Sequence, residues 1–337
     1  MTPLRKAISR ILRVPIKLLP VRAKERLYSL YITYTLVMQR GKETKRYSVP
    51  LFLLPNGLDD CDNRNGRARR QFTLPTLNAL SSQLCTHNQF HEQAYLDWCK
   101  AMAEIPVLHR KQWEFVWILA AMKAAGVLKN GNRALGFGTG KEPIPAVLSK
   151  YGVRVVASDA PLDVDIAQNW SSTNQYSRNV DDLFRPNIVS PEIFFDRVSW
   201  IPVDMNAIPT DLVDFDVCWS ACAFEHLGSI TKGLQFVRNS LLTLRSGGVA
   251  IHTTEFNLSS NEETIESAGL SIFRKSDIEA LADELVSEGH EVWPLNFHPG
   301  NSAVDEVVDA PPYSLPHLKL ELGNYSCTSI GLVVKKK

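Results

Sequence analysis

The stretch Asn132–Pro161, NRALGFGTGKEPIPAVLSKYGVRVVASDAP, restricts the fold of this chain more than any other. Arg133–Leu135 read as the end of a short strand, and Gly136, Gly138 and Gly140 as a tight turn. Glycines at alternate positions permit positive φ and leave no Cβ between the backbone and a close neighbour. A helix then fits Ile144–Tyr151, and the β-branched run Val153–Ala157 makes a second strand ending at Ser158 and Asp159. Strand, glycine turn, helix and strand form the unit from which parallel α/β sheets are built. In such a sheet the turn brings backbone N–H groups to a ligand. Asp159, nineteen residues beyond Gly140, stands where a ribose diol is accepted.

The same spacing excludes two ligand motifs. A dinucleotide fingerprint has Gly or Ala at the sixth position of G-x-G-x-x-G. Counted from Gly136 that position is Lys141, and counted from Gly138 it is Pro143. The phosphate-loop pattern also fails, because no Gly-Lys-Ser/Thr follows a four-residue gap.

Downstream, strand and helix signals alternate. Val198–Val203 reads as a third strand ending in Asp204 and Met205, and Phe215–Ser220 (FDVCWS) as a fourth, followed by AFEHL. A helix over Ile230–Leu244, a turn at Ser246-Gly247-Gly248 and a fifth strand Val249–Thr254 come next. Lys275–Gly289 places Ile278, Leu281 and Leu285 on one helical face, and Glu291–Asn296 and Tyr325–Val334 read as closing strands. This succession predicts an α/β fold, a mostly parallel sheet with helices on both faces. Between the second and third strands, Pro161–Asp196 reads as a polar, irregular insertion carrying Trp170, Gln175 and Tyr176.

Upstream, Thr73–Val127 is patterned as helix in two parts divided near Pro106. In the second part Trp113, Val116, Trp117, Ala120 and Ala124 recur near the helical period. The stretch Gln89–Trp113 suits either a lid over a ligand cleft or plain core. Ser48–Gln71 reads as an exposed loop. The expected organisation is an arm over 1–46, a helical extension over 47–127 and an α/β domain over 128–337.

Charge is divided unevenly. The net charge is +1, yet residues 1–46 hold 12 Lys/Arg and two acidic residues, leaving 25 basic and 34 acidic residues in the remainder. The basic, apolar arm suits a helix lying on the protein body or on an anionic membrane surface. Leu27–Met38 is too short to span a bilayer, and no aromatic stacking platform points to nucleic acid. The six cysteines are scattered without a C-x-x-C pair, which argues against a disulfide framework or a zinc site.

In order, GFGTG with its acidic strand end, Asp204 followed by an apolar residue and Pro209, FDVCWS with AFEHL, and RSGGVAIHTTE resemble the motifs of class I S-adenosylmethionine-dependent methyltransferases. The resemblance covers roughly residues 131–256. It implies a Rossmann-like sheet with an antiparallel strand near the C-terminus, a helical N-terminal extension, and S-adenosyl-L-methionine as cofactor. It implies that Gly136, Gly138 and Gly140 cradle the methionine part, Asp159 holds the ribose and Asp204 with Met205 holds adenine. Ser220, ending the fourth strand, joins this cofactor-binding set. The family usually has Asp or Glu two residues before the first glycine, where this chain has Ala134. Glu142 is the substitute within reach of the methionine ammonium.

Less specifically, the chain resembles bacterial methyltransferases of surface-polysaccharide and glycolipid pathways. That implies O-methylation of a sugar hydroxyl in the cytoplasm beside the inner membrane. A small secondary metabolite as acceptor, and a catalytically degenerate docking module, are the alternatives. For a hydroxyl acceptor the protein must take up a proton. His226, just beyond the fourth strand, and Glu255, at the exit of the fifth, are the catalytic candidates. Alternation puts His252 and Thr254 on one face and Thr253 and Glu255 on the other. His226, His252 and Glu255 lack a short-range ligand spacing, so no metal is expected. Asp305, Asp309, Tyr313 and His317 are candidate hydrogen-bonding groups for a polyhydroxylated acceptor.

Overall fold

A computed structural model describes residues 45–55, 66–161 and 176–337. The expected arm lies outside these residues except for Lys45 and Arg46, as do Trp170 and Gln175.

Two helices precede the main sheet, α1 (Gln93–Ala101) and α2 (Arg110–Ala124). His109 starts α2, its Nδ1 accepting the Lys111 N–H at 3.0 Å. From Gln112 to Met122 every residue of α2 except Phe115 is buried, so this stretch is a core helix. Its Trp117 ring fills the space that lets Gly331 be only glycine, since a Cβ there would lie 2.4 Å from the indole. Trp113 Nε1 donates to the buried Gln89 Oε1 at 2.9 Å, tying the segment before α1 into the same core.

The glycine unit forms as the sequence predicts, with β1 (Arg133–Phe137), a turn, α3 (Ile144–Lys150) and β2 (Arg154–Asp159). The segment expected to be irregular contains a regular helix, α4 (Pro191–Arg197). Pro191 at its first turn has φ pre-set for a helix, and Glu192 and Arg197 complement its dipole. Then follow β3 (Val198–Pro202), β4 (Phe215–Ala221), α5 (Ile230–Leu242) and β5 (Leu244–Asn257). The fifth strand begins earlier than its β-branched run. Phe215 pairs with Leu244 and Val217 with Val249, so Arg245–Gly248 bulge out between paired flanks. The chain ends with α6 (Lys275–Ser287), β6 (Lys319–Leu322) and β7 (Tyr325–Lys335).

The strand order is β3-β2-β1-β4-β5-β7-β6, continued by Val307–Asp309 and Lys45–Arg46. Strands β1 to β5 are parallel, and β7 runs antiparallel to both neighbours. This is the mixed, mostly parallel sheet the sequence predicts. Arg70–Gln71 and Ser82–Gln83 pair with Leu295–Asn296 in a second, small sheet, so the 47–127 segment shares strands with the C-terminal region. Helices cover both faces. His252 on β5 reaches α5 through Ser240, while Glu255, three residues on, reaches Arg110 of α2. An odd separation along a strand puts these on opposite faces. The α5–α6 face holds the larger core, including Leu135, Phe137, Phe236, Ala250 and Leu281.

Candidate functional site

Strand β1 sits between β2 and β4, and the chain leaves β1 toward one side of the sheet and β4 toward the other. Such a switch point opens a crevice outside the carboxyl ends of the strands. The glycine turn lies there, with φ of +55° at Gly138 and +49° at Gly140, in the region where a Cβ is strained. A Cβ on Gly138 would also lie 2.8 Å from the Ala223 Cβ and 3.5 Å from the Met205 sulfur. The loops after β1, β3 and β4 therefore meet at Gly138.

Asp159, at the end of β2, is buried. Its carboxylate accepts from the N–H groups of Gly140, Ala160 (2.9 Å) and Ser177 (3.1 Å) and from the Ser177 hydroxyl (3.2 Å). It thus ties the glycine turn to the segment entering α4. Burial raises its pKa, and the bonds from Ser177, Ala160 and Gly140 oppose that shift. Glu142 is buried just after the turn, with Trp219 Nε1 donating to its Oε1 at 2.6 Å. Burial pushes the Glu142 carboxyl up to about 8. Among the described residues no Lys or Arg forms an ion pair with it. The Trp219 N–H and the more distant Lys111 ammonium oppose that rise without cancelling it.

Other predicted residues do different work. Gly136 faces inward, since a Cβ there would lie 2.4 Å from both the Trp219 ring and the Thr139 methyl. Internal packing by itself therefore requires glycine at this position. Asp204 turns its Oδ1 to the N–H of Asn206 at 2.8 Å, an Asx turn that shapes the loop carrying Met205. Ser220 belongs to the opposite face from Trp219. Its hydroxyl lies 2.8 Å from His252 Nδ1, whose Nε2 lies 3.0 Å from the Ser240 hydroxyl. The Ser220 side chain is therefore committed to the core beneath α5, where burial lowers the His252 pKa to about 3. The period-two alternation within FDVCWS sends Trp219, and not Ser220, toward Glu142.

A second group lies beyond β4 and β5. Cys222 has φ +48°, an uncommon conformation for a non-glycine residue. One donor atom each of Cys222, Glu225 and Glu255 lies within 4.8 Å of the others; the two acids are buried and Cys222 is partly buried. Arg110 Nη2 pairs with Glu255 Oε1, while Nη1 reaches Glu114 at 3.1 Å, the Ser329 hydroxyl at 3.0 Å and Cys222 Sγ at 3.7 Å. Lys111 pairs with Glu114 at 3.1 Å. Glu225 receives the Thr254 hydroxyl at 3.1 Å, and its neighbour His226 stands 4.0 Å away. Glu225 Oε1 and Glu255 Oε2 are buried with no hydrogen-bond partner. Burial, with each carboxylate's repulsion of its neighbours, raises the pKa of both acids. His226 Nδ1 lies 2.7 Å from the Gly269 carbonyl. A carbonyl only accepts, so Nδ1 carries the proton and Nε2 the lone pair.

The C-terminal candidates divide. Asp309 Oδ2 holds His317 Nδ1 at 2.6 Å, and the His317 ring packs at 4.7 Å on His109, next to Arg110. Tyr313, half exposed, is edge-on to the same imidazole at 5.1 Å. Asp305 is turned elsewhere, onto the His87 N–H and Ser302. Sequence reading passed over Arg110, Lys111, Glu114 and Cys222. The signal available was Arg110-Lys111-x-x-Glu114, three charges at helical spacing at the start of a mostly apolar helix.

No family model matches the sequence, and no curated protein matches it. Solved structures give partial likenesses. An S-adenosylmethionine-dependent methyltransferase from Aquifex aeolicus matches at 16% identity over 65% of this chain and 89% of its own, with a TM-score of 0.35. The N-terminal domain of EvdMO1 with S-adenosylhomocysteine bound matches at 12% over 65% and 79%, TM-score 0.37. The [4+2]-cyclase SpnF matches at 18% over 52% of this chain and 60% of its own, TM-score 0.34. The chain thus spans about three fifths of the SpnF structure. At these scores the fold description rests on the strand order above.

Proposed function

We propose that the chain is an S-adenosylmethionine-dependent methyltransferase whose acceptor is a hydroxyl of a sugar or of a glycolipid or polysaccharide intermediate. The observation that carries the proposal is the buried Glu142 carboxyl at the switch point, beside a glycine turn and, among the described residues, without a Lys or Arg within ion-pair distance. A ligand with an ammonium and a sulfonium group supplies what that carboxyl lacks. When bound, the methyl donor presents a carbon already activated by its sulfonium, so the leaving sulfur needs no acid.

The protein's own work is alignment, exclusion of water and proton uptake. Gly138 and Gly140 bring bare backbone to the donor, Glu142 faces its ammonium, and Met205 lies against the turn. A ribose diol at Asp159 takes the places that the Ser177 N–H and hydroxyl now fill. The acceptor hydroxyl enters beside Glu225 and Glu255, beyond β4 and β5, and His226 Nε2 takes its proton. The choice of a sugar acceptor rests on the sequence resemblance alone.

A second reading has one observation in its favour. Asp159 already carries four donors from the protein itself, as suits a degenerate fold that only docks. Calorimetry of the full chain with S-adenosylmethionine separates the two. Methyl transfer predicts one-to-one heat that Asp159→Ala abolishes, whereas the docking module predicts none. Mass spectrometry of glycan and metabolite pools incubated with labelled donor then identifies the acceptor.

A further inference from the structure

We propose that Cys222, Glu225 and Glu255 form a binding site for a divalent metal ion of the zinc class. The three donors come from one short region, the end of β4 with the turn after it and the end of β5, and they converge within 4.8 Å. Convergence alone would not make a site. What points to a cation is the pair of carboxylate oxygens, Glu225 Oε1 and Glu255 Oε2, that are buried and accept nothing. Buried carboxylates are costly unless paired or protonated.

Charge count gives the same answer. Arg110 and Lys111 stand against three carboxylates, Glu114, Glu225 and Glu255. Lys111 and one arm of Arg110 are taken by Glu114, and the other arm of Arg110 by Glu255 Oε1. Glu225 has no Lys or Arg within ion-pair distance among the described residues, only His226 at 4.0 Å. The surplus negative charge therefore sits at Glu225. If the Cys222 thiol is also ionised, a divalent ion with Arg110 and Lys111 balances the thiolate and the three carboxylates completely. On binding, the thiol loses its proton to solvent and the sulfur donates to the metal. Thiolate with carboxylate favours zinc or cobalt over magnesium and calcium.

Backbone geometry supports the assignment. Cys222 holds φ +48° where β4 ends, a conformation that persists when the surroundings require it. Its N–H is fixed by the Thr253 carbonyl at 3.0 Å, and Arg110 Nη1 lies 3.7 Å from the sulfur. The role of the ion rests on the methyltransferase reading: it would polarise the acceptor oxygen next to His226. The binding itself does not rest on that reading.

The test uses the full chain, stripped with a chelator and titrated with Co²⁺ and then Zn²⁺. The expected result is a thiolate-to-cobalt charge-transfer band that saturates at one equivalent and is displaced by Zn²⁺. Cys222→Ser should remove the band, while Cys85→Ser and Cys327→Ser keep it. Glu225→Gln and Glu255→Gln should each weaken the metal at least about tenfold, and they decide the matter if Cys222→Ser does not fold. No saturable band, or a band that survives Cys222→Ser, overturns the site and leaves a proton as the partner of the two acids. Donor calorimetry on the stripped chain keeps the two proposals apart. Heat without a cobalt band removes the metal alone, and a band without heat removes the methyl-transfer reading alone.

Discussion

Strands β4 and β5 carry two buried polar clusters that differ in how completely they are closed. Under α5, His252 has a hydroxyl at each ring nitrogen, Ser220 at 2.8 Å and Ser240 at 3.0 Å. The Ser240 hydroxyl also donates to the Val237 carbonyl. Every ring valence is used, so the histidine stays neutral and inert. At the carboxyl end, Glu114, Glu225 and Glu255 are also buried and Arg110 is mostly so, yet Glu225 Oε1, Glu255 Oε2 and Arg110 Nε have no hydrogen-bond partner. A closed network specifies a core, and an open one holds capacity for something outside the chain.

Substitutions sharpen this contrast. The largest effect expected is from Arg110→Met, which leaves Glu255 and Glu114 without their shared cation. A loss of about 3–5 kcal/mol in denaturant unfolding is expected, and a loss below about 1 kcal/mol would mean that the open cluster is solvated. Next comes His252→Leu, which strips the ring from Ser220 and Ser240. It should cost about 1–3 kcal/mol while leaving donor binding unchanged; a loss of donor binding would make the closed cluster part of the site. The smallest effect is expected from Glu225→Gln. Glu225 is buried, with no Lys or Arg in ion-pair distance among the described residues, so relief of its desolvation should offset the weakened Thr254 bond and shift stability by less than about 1 kcal/mol; a large destabilisation would reveal a structural charge.

The parts of the molecule legible in the sequence are those written in local order. The glycine turn with α3 and β2 follows from periodicity and positive-φ glycines, and Asp159 from its place at a strand end. The buried helix α2 was also legible, because Trp113 and Trp117 recur at its period. Three kinds of feature were not. The packing demand on Gly136 was hidden because a sequence does not show that Trp219, over eighty residues away, fills the space beside it. Ser220 looked like a site residue because its partner His252 lies on the next strand. The cluster of Arg110, Glu225 and Glu255 joins α2 to two strands over separations above one hundred residues. No local pattern encodes such pairing, and only the charges inside an apolar helix hint at it.

The central claim is that Glu142 supplies the missing counter-charge for a cationic methyl donor, and the pH dependence of donor affinity tests it most directly. Without ligand, the Glu142 carboxyl is pushed up to about 8, well above its unfolded value near 4.5. Its stabilising contribution is therefore full below about 4.5 and fades as pH rises through 8. A cation binds the ionised form, so donor binding should release a proton, and affinity should climb by up to about tenfold per pH unit between pH 6 and 8. Calorimetry of the native chain should show that climb, and Glu142→Gln should bind weakly with a flatter profile. Equal slopes in the two proteins, or undiminished affinity in Glu142→Gln, would contradict the account.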